Sequence, residues 1–214
     1  MKYCILACMI AVFLSAKSQV AETGQNVSEA VSDDLNTKST IKDYLKTMPE
    51  NVLPILSKNN ILDCIDFMEA GMEAEVTNRM TGKSSMTYLG KTLATFQLTS
   101  VTKADIALFD KGTDDVLIYV VTTSVTDSLP DSHVRVYASD WSTATEDLQF
   151  PVMYPSRFTE LILTDESNIV RIIEREPKTR FDGLDEQSRE EEGNEGRLIW
   201  DSEAGRFLIE MMNH

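Results

Sequence analysis

Apolar side chains recur at the helical period between residues 40 and 72. Thr40 is placed to cap a first helix, which Pro49 ends, and the apolar run from Glu50 to Leu56 predicts a second, short helix. A third helix is predicted to open at Asn60. Its apolar stripe follows the i, i+4, i+7, i+11 spacing of one helix face: Ile61, Ile65, Met68 and Met72.

From Val76 onward the helical period gives way to the two-residue period of strands. Ala94, Phe96 and Leu98 alternate with polar residues, which is typical of a strand with one buried face. Residues 116–121 (VLIYVV) are apolar at every position. This run predicts a strand that is covered on both faces and central in its sheet.

Turn residues divide the remaining strands into hairpins. After a predicted turn at 127–131, alternation should bury one set of side chains and turn the other to solvent: Val134, Val136 and Ala138 inside, His133, Arg135 and Tyr137 outside. Two more hairpins are predicted at 161–173 and 198–209, where apolar runs flank a polar turn. Residues 182–196 (DGLDEQSREEEGNEG) are acidic and nearly free of apolar side chains, so they predict a mobile loop.

Together these elements predict an α+β fold. N-terminal helices, at about residues 40–72, are expected to pack on a mainly antiparallel sheet built from hairpins. The length after the first residues suits one domain, which we place at 39–214.

The start of the chain predicts export. Lys2 precedes an uncharged, apolar run from Tyr3 to Ala16, which suits the core of a signal peptide and is shorter than the roughly 20 residues that span a bilayer. We expect the signal peptide to comprise residues 1–18, with cleavage after Ser18. Residues 19–38 are polar and aperiodic, as in a flexible tether. Cys8 ends a lipobox-like sequence, but the short stretch before it disfavours a lipid anchor. The expected location is the periplasm or the extracellular space.

Charge and cysteine content narrow the classes of protein. The formal net charge of −15 disfavours binding to nucleic acid and to anionic membranes. We expect no stable membrane insertion after cleavage. Cys64 is the only one of the three cysteines outside the signal peptide, so no intrachain disulfide is expected in the processed chain. In a helical stripe, Cys64 is expected to act as a small apolar side chain.

No catalytic or metal-binding motif is present in the sequence. There is no GxSxG, no phosphate-binding glycine loop and no HExxH, and a serine triad would have to use His133 because His214 is the last residue. One cysteine and two distant histidines are too few for a zinc site, so neither metal nor cofactor is expected. Carboxylates are abundant, which leaves a pair of catalytic acids open.

Two aromatic residues are candidates for ligand binding. Trp141 follows a predicted strand, where its ring could either stack on a sugar or pack against the core. Tyr154 belongs to the apolar segment Phe150 to Pro155, which we expect to be irregular and near a concave site.

One stretch of the sequence resembles a known family. The residues that carry the resemblance are Met48-Pro49, the run Leu53 to Met68 (LPILSKNNILDCIDFM), Ala74 to Asn78 (AEVTN) and Gly82-Lys83-Ser84. This sequence motif is similar to that of domain-of-unknown-function family 3256, a family of exported proteins of Bacteroidales-type bacteria. Ile55 and Ile61 stand where the family usually has Tyr and Arg.

The resemblance implies export from a Gram-negative cell and an α+β domain, and it carries over no catalytic or binding residue. Such bacteria O-glycosylate exported proteins at Asp-Ser/Thr-apolar triplets, so the resemblance also suggests glycosylation of Ser128 in Asp127-Ser128-Leu129.

The sequence therefore favours an exported envelope protein that acts as a non-catalytic binding or interaction module. Its partner would be a protein or a glycan of the cell envelope. The alternative is a periplasmic hydrolase that uses carboxylates.

Overall fold

A computed structural model describes most of the chain beyond residue 38. The described residues all lie within one compact unit, Lys38–His214. They are 39–112, 115–126, 128–144, 158–164, 168–175 and 194–211. The predicted signal peptide, the predicted tether, Tyr154 with the rest of the 150–155 segment, and residues 182–193 of the acidic stretch lie outside them.

The structure is mostly antiparallel sheet with two helices. The helices are α1 (Ile41–Thr47) and α2 (Lys58–Glu69). Six strands form the first sheet in chain order: β1 (Ala74–Thr77), β2 (Lys83–Leu89), β3 (Leu93–Thr99), β4 (Thr102–Asp110), β5 (Val116–Thr126) and β6 (Leu129–Ala138). Four strands form the second, in the order β10-β9-β8-β7: β7 (Phe158–Leu163), β8 (Ile169–Arg175), β9 (Asn194–Asp201) and β10 (Arg206–Met211). Residues 194–196, predicted as loop, therefore belong to a strand.

Local hydrogen bonds fix both ends of α2. Ser57 Oγ accepts from the Asn60 N–H (3.1 Å), and Asn60 Oδ1 accepts from the Ser57 N–H (3.0 Å), so the helix begins before the predicted Asn60. At the other end Gly71 has φ +68°, and the Met72 N–H returns to the Phe67 carbonyl (2.8 Å). The helical stripe thus ends before Met72, whose side chain is 58% exposed rather than part of the predicted buried face.

The short helix predicted at 50–56 is wrong. This segment forms successive turns, in which the N–H groups of Val52 and Leu56 donate to the carbonyls of Pro49 (3.1 Å) and Leu53 (2.9 Å). Pro54 in its middle has no N–H to continue a helical ladder. The apolar side chains that suggested a helix, including Val52 and Leu56, are buried all the same. Burial was therefore predictable here, but the conformation was not.

The six-stranded sheet separates two hydrophobic cores, and β5 contributes to both. Ile118 and Val120 pack in the core that contains the helices, whereas Leu117, Tyr119 and Val121 pack in the core against the second sheet. This confirms that the VLIYVV run is covered on both faces. β5 pairs with β4 and with β6, so it is an interior strand as predicted, although it lies fifth in the order of six, next to the outer strand β6. The two covering layers account for the absence of alternation.

The outer face predicted for β6 is only partly exposed. Tyr137 is buried in the helix-side core, and the Arg135 guanidinium donates to the backbone carbonyls of Asn51 and Val52. His133 alone of the three predicted solvent-facing residues is exposed. The turns of residues 50–56 cover this face, a long-range contact that the alternation in β6 could not indicate.

The second sheet confirms both C-terminal hairpins. β7 pairs with β8 and β9 pairs with β10, each antiparallel. Its first strand, β7, is joined to β6 by hydrogen bonds to side chains. The N–H groups of Thr159 and Leu161 donate to Asp131 Oδ1 (3.3 Å) and Ser132 Oγ (3.0 Å). The two sheets thus meet along a seam of side-chain hydrogen bonds between β6 and β7.

Candidate functional site

An open pocket of about 520 Å³ lies where β5 and β6 extend beyond the helices. The register pairs Thr122 with His133 and Ser124 with Asp131, so these four residues project from neighbouring positions on the same face as Ile118 and Val120. That face is apolar beneath the helices and becomes polar past them. The pocket is lined by Thr122, Ser124, Thr126, Asp131, His133, Arg135 and Phe158.

Three hydroxyl-bearing residues, at alternate positions of β5, line one side of the pocket. Thr122 and Ser124 are half-buried, and Thr126 is exposed. Ser124 Oγ is also 3.2 Å from Thr102 Oγ1 on β4, and this hydrogen bond orients the Ser124 side chain. Only one of the two hydroxyl groups donates in this bond, so the other can still donate to a ligand. This row can donate and accept hydrogen bonds without carrying charge.

The charged side chains of the pocket are anchored to neighbouring segments. Arg135 is held by its bonds to the carbonyls of Asn51 and Val52, and Asp131 by the Thr159 N–H of the seam. Phe158, half-buried at the start of β7, adds an aromatic ring. The site combines fixed polar groups with one apolar ring, which is the composition that orients a small polar ligand.

A smaller recess of about 320 Å³ lies between the start of α1 and the end of α2. Lys42 Nζ donates to Glu69 Oε1 across it (2.5 Å). This hydrogen bond raises the pKa of Lys42 and lowers the pKa of Glu69. Both charges are satisfied by each other, so this recess offers a ligand less than the larger pocket does.

Trp141, one of the two predicted binding residues, lies in the core on the helix side of the sheet. Its side chain is 6% exposed, its ring centroid is 5.6 Å from that of Tyr137, and Nε1 donates to the Tyr44 carbonyl (3.2 Å). It holds α1 against the end of β6. Little of the ring is available for stacking on a sugar, and it does not line the pocket. The other candidate, Tyr154, lies outside the described residues.

The remaining sequence candidates are scattered. Cys64 is buried on α2, and burial raises the pKa of its thiol, which keeps it protonated. Ser128 is exposed in the tight turn between β5 and β6, with φ +69°. No three His, Cys, Asp or Glu side chains in the described part of the chain come together as a metal site. Within the same residues, neither helix is long and apolar enough to cross a membrane.

Sequence reasoning placed His133 on a solvated strand face, where it is indeed exposed, but it passed over the hydroxyl row and Phe158. The signal for the row was present. Residues 122–126 (TTSVT) continue the strand after VLIYVV but bring polar residues to the face that had been apolar. No such signal was present for Phe158, because this residue lines the pocket only when β7 lies beside β6.

Comparison with known families settles the membership of the chain. A family model described as "Protein of unknown function (DUF3256)" matches residues 34–174, well over half of the sequence. The chain belongs to this family. The matched region contains α1, α2 and the strands that line the pocket, and it ends before β9 and β10.

The fold is also similar to a solved structure. The structure of a domain of an uncharacterized protein from Porphyromonas gingivalis W83 matches with a TM-score of 0.61 and 20% sequence identity. The match covers 80% of this chain and 98% of that one. At this identity the likeness concerns the fold alone. No curated protein matches this member of the family.

Proposed function

We propose that this family member is an exported envelope protein that works as a non-catalytic binding module, and that its pocket binds a glycan. The observation that carries the proposal is the uncharged hydroxyl row of Thr122, Ser124 and Thr126, with the Phe158 ring lining the same pocket. Sugars present hydroxyl groups and apolar C–H faces, so they need this combination of hydrogen-bonding groups and an aromatic surface.

The shape of the site favours a small ligand over a protein surface. Its volume of about 520 Å³ falls within the ~300–1,000 Å³ that is typical of ligand pockets. The anchoring of Arg135 and Asp131 leaves both side chains ordered before a ligand arrives, which lowers the entropic cost of binding.

The alternative of a carboxylate hydrolase gains no specific support. Glycoside hydrolysis commonly needs two carboxylates about 5–9.5 Å apart on either side of the scissile bond. Among the described residues that line the pocket, Asp131 is the one carboxylate, and its Oδ1 already accepts the Thr159 N–H.

The pocket can be tested with matched threonine variants. We expect Thr122→Val and Phe158→Ala each to weaken binding of the best ligand on a glycan array by about fivefold, since one hydrogen bond or one ring contact contributes roughly 1 kcal/mol. Thr87→Val, on the exposed side of β2, is the control and should leave the affinity unchanged. Isothermal titration calorimetry gives the dissociation constants. If no glycan binds, or if all three variants bind equally, the assignment of the pocket is wrong.

Export has its own test at the N-terminus of the chain. The apolar run from Tyr3 to Ala16 supports processing by a signal peptidase, and we expect the mature chain to begin at Gln19. Intact-mass and N-terminal peptide measurements on protein from the native host give the site directly. A diacylated Cys8, or an unprocessed Met1, would contradict this prediction.

A further inference from the structure

The outer strand of the second sheet exposes apolar side chains on both of its faces. β10 pairs with β9 on one side, and none of the other described strands lies beside it. Leu208 is 45% exposed and Ile209 is 44% exposed. An edge strand of this kind is a template for pairing with another strand unless charge or a bulge prevents it.

The backbone of β10 is oriented for such pairing. The Trp200 N–H donates to the Asn168 carbonyl (2.7 Å), so it points toward β8 and away from β10. Hydrogen bonding alternates along antiparallel strands, and Ile209 pairs with Leu198, two residues from Trp200. Ile209 therefore directs its N–H and carbonyl away from β9, toward the side of β10 on which no described strand lies.

The sequence of β10 is complementary to itself when two copies run antiparallel. A two-fold axis at Leu208 places Leu208 opposite the partner's Leu208, and Ile209 opposite the partner's Phe207. The same axis places Arg206 opposite the partner's Glu210. Ile209 then occupies a hydrogen-bonded position and Leu208 a non-hydrogen-bonded one, which agrees with the alternation in β10.

Charges within one copy extend this match. The register of β9 and β10 puts Asp201 opposite Arg206 and Arg197 opposite Glu210. Across the axis, the row therefore reads Asp201, Arg206, the partner's Glu210 and the partner's Arg197, with alternating sign. Opposite charges directly across strands stabilise a sheet and like charges destabilise it. Shifting the axis to Ile209 would instead place Leu208 opposite the partner's Glu210.

We propose that two copies of this chain associate through antiparallel pairing of β10 about Leu208, which joins their second sheets into one eight-stranded sheet. The contact is a single strand pair with a small buried area, so the dimer is concentration-dependent. The contact is formed by β10, which lies beyond the residues that the family model matches. The proposal does not depend on the function of the pocket.

The residue on the axis provides the sharpest test, because it faces its own copy. Leu208→Lys and Leu208→Glu should each weaken dimerisation at least tenfold, since each homodimer sets two like charges side by side. An equimolar mixture of the two variants should restore a dimer made of one copy of each. Sedimentation velocity of the processed chain measures the homodimers. Native mass spectrometry with one ¹⁵N-labelled variant identifies the mixed species.

Control substitutions separate pairing of β10 from a change in net charge. Val101→Lys and Val101→Glu alter an apolar residue outside β10 that is at least as exposed as Leu208, and they should leave the dimer unchanged. Glu210→Arg should weaken it, whereas Glu203→Arg in the β9–β10 turn should not. Circular dichroism checks that each variant is folded. A wild-type chain that stays monomeric at high concentration overturns the proposal. So does a dimer that both Leu208 variants retain, or a mixture that does not associate.

Discussion

Replacing Phe109 by alanine is expected to lower the free energy of unfolding by about 3–5 kcal/mol. Phe109 is buried between the two sheets, with its ring centroid 4.9 Å from that of Tyr119, 5.6 Å from that of Trp200 and 5.2 Å from that of Phe207. The substitution removes these contacts and leaves a cavity that neighbouring strands, fixed by their hydrogen-bond ladders, cannot close. Equilibrium unfolding in urea, followed by tryptophan fluorescence, measures the change.

Met80→Ala is the matched control for this substitution. Met80 is 74% exposed, so truncating this large apolar side chain to alanine should change stability by less than about 0.5 kcal/mol. Equal losses for the two variants would mean that the second sheet is not packed on the first through this cluster. Phe109→Leu should lie between them, because it fills part of the cavity.

Replacing Trp141 by alanine should destabilise the chain by a similar amount, about 3–5 kcal/mol. The buried indole joins Tyr137 on β6 to the carbonyl of Tyr44 on α1, so its loss removes packing and a hydrogen bond together. Trp141→Phe keeps most of the packing and loses only the Nε1 donor. We expect a smaller loss of about 1–3 kcal/mol for it, because the Tyr44 carbonyl is left without that partner. Thermal and urea unfolding monitored by circular dichroism measure both.

The Trp141→Phe variant also distinguishes a packing role of Trp141 from a ligand-binding role. Because Trp141 does not line the pocket, Trp141→Phe should bind a glycan ligand with wild-type affinity once it is folded. A folded Trp141→Phe chain that has lost its ligand would contradict this and would return Trp141 to the binding site.

Elements set by local periodicity were predictable from the sequence. In β3, the alternation of Ala94, Phe96 and Leu98 with polar residues matches the buried and half-buried positions of the strand. The C-terminal hairpins were also found, since each is a local unit with a polar turn. In these cases the pattern and the structure are governed by the same few neighbouring residues.

Features set by long-range contacts were not predictable. Tyr137 was placed in solvent because alternation in β6 cannot reveal that residues 50–56 cover that face. The pocket was missed for the same reason, as Phe158 lines the same pocket as His133 only because β7 lies beside β6. The apolar run at residues 50–56 also led to a helix that does not form, because Pro54 interrupts it. The apolar side chains of this run are nonetheless buried.

The seam between β6 and β7 differs in kind from the ladders inside each sheet. Within a ladder, main-chain groups bond to main-chain groups, so almost any side chain can be exchanged without breaking the connection. Along the seam, Asp131 and Ser132 supply the acceptors for Thr159 and Leu161 from their side chains. Mutation can therefore loosen or tighten the joint between the sheets one residue at a time, while both cores stay intact. Because Asp131 also lines the pocket, relatives of this chain could change the shape of the binding site by altering a joint instead of a fold.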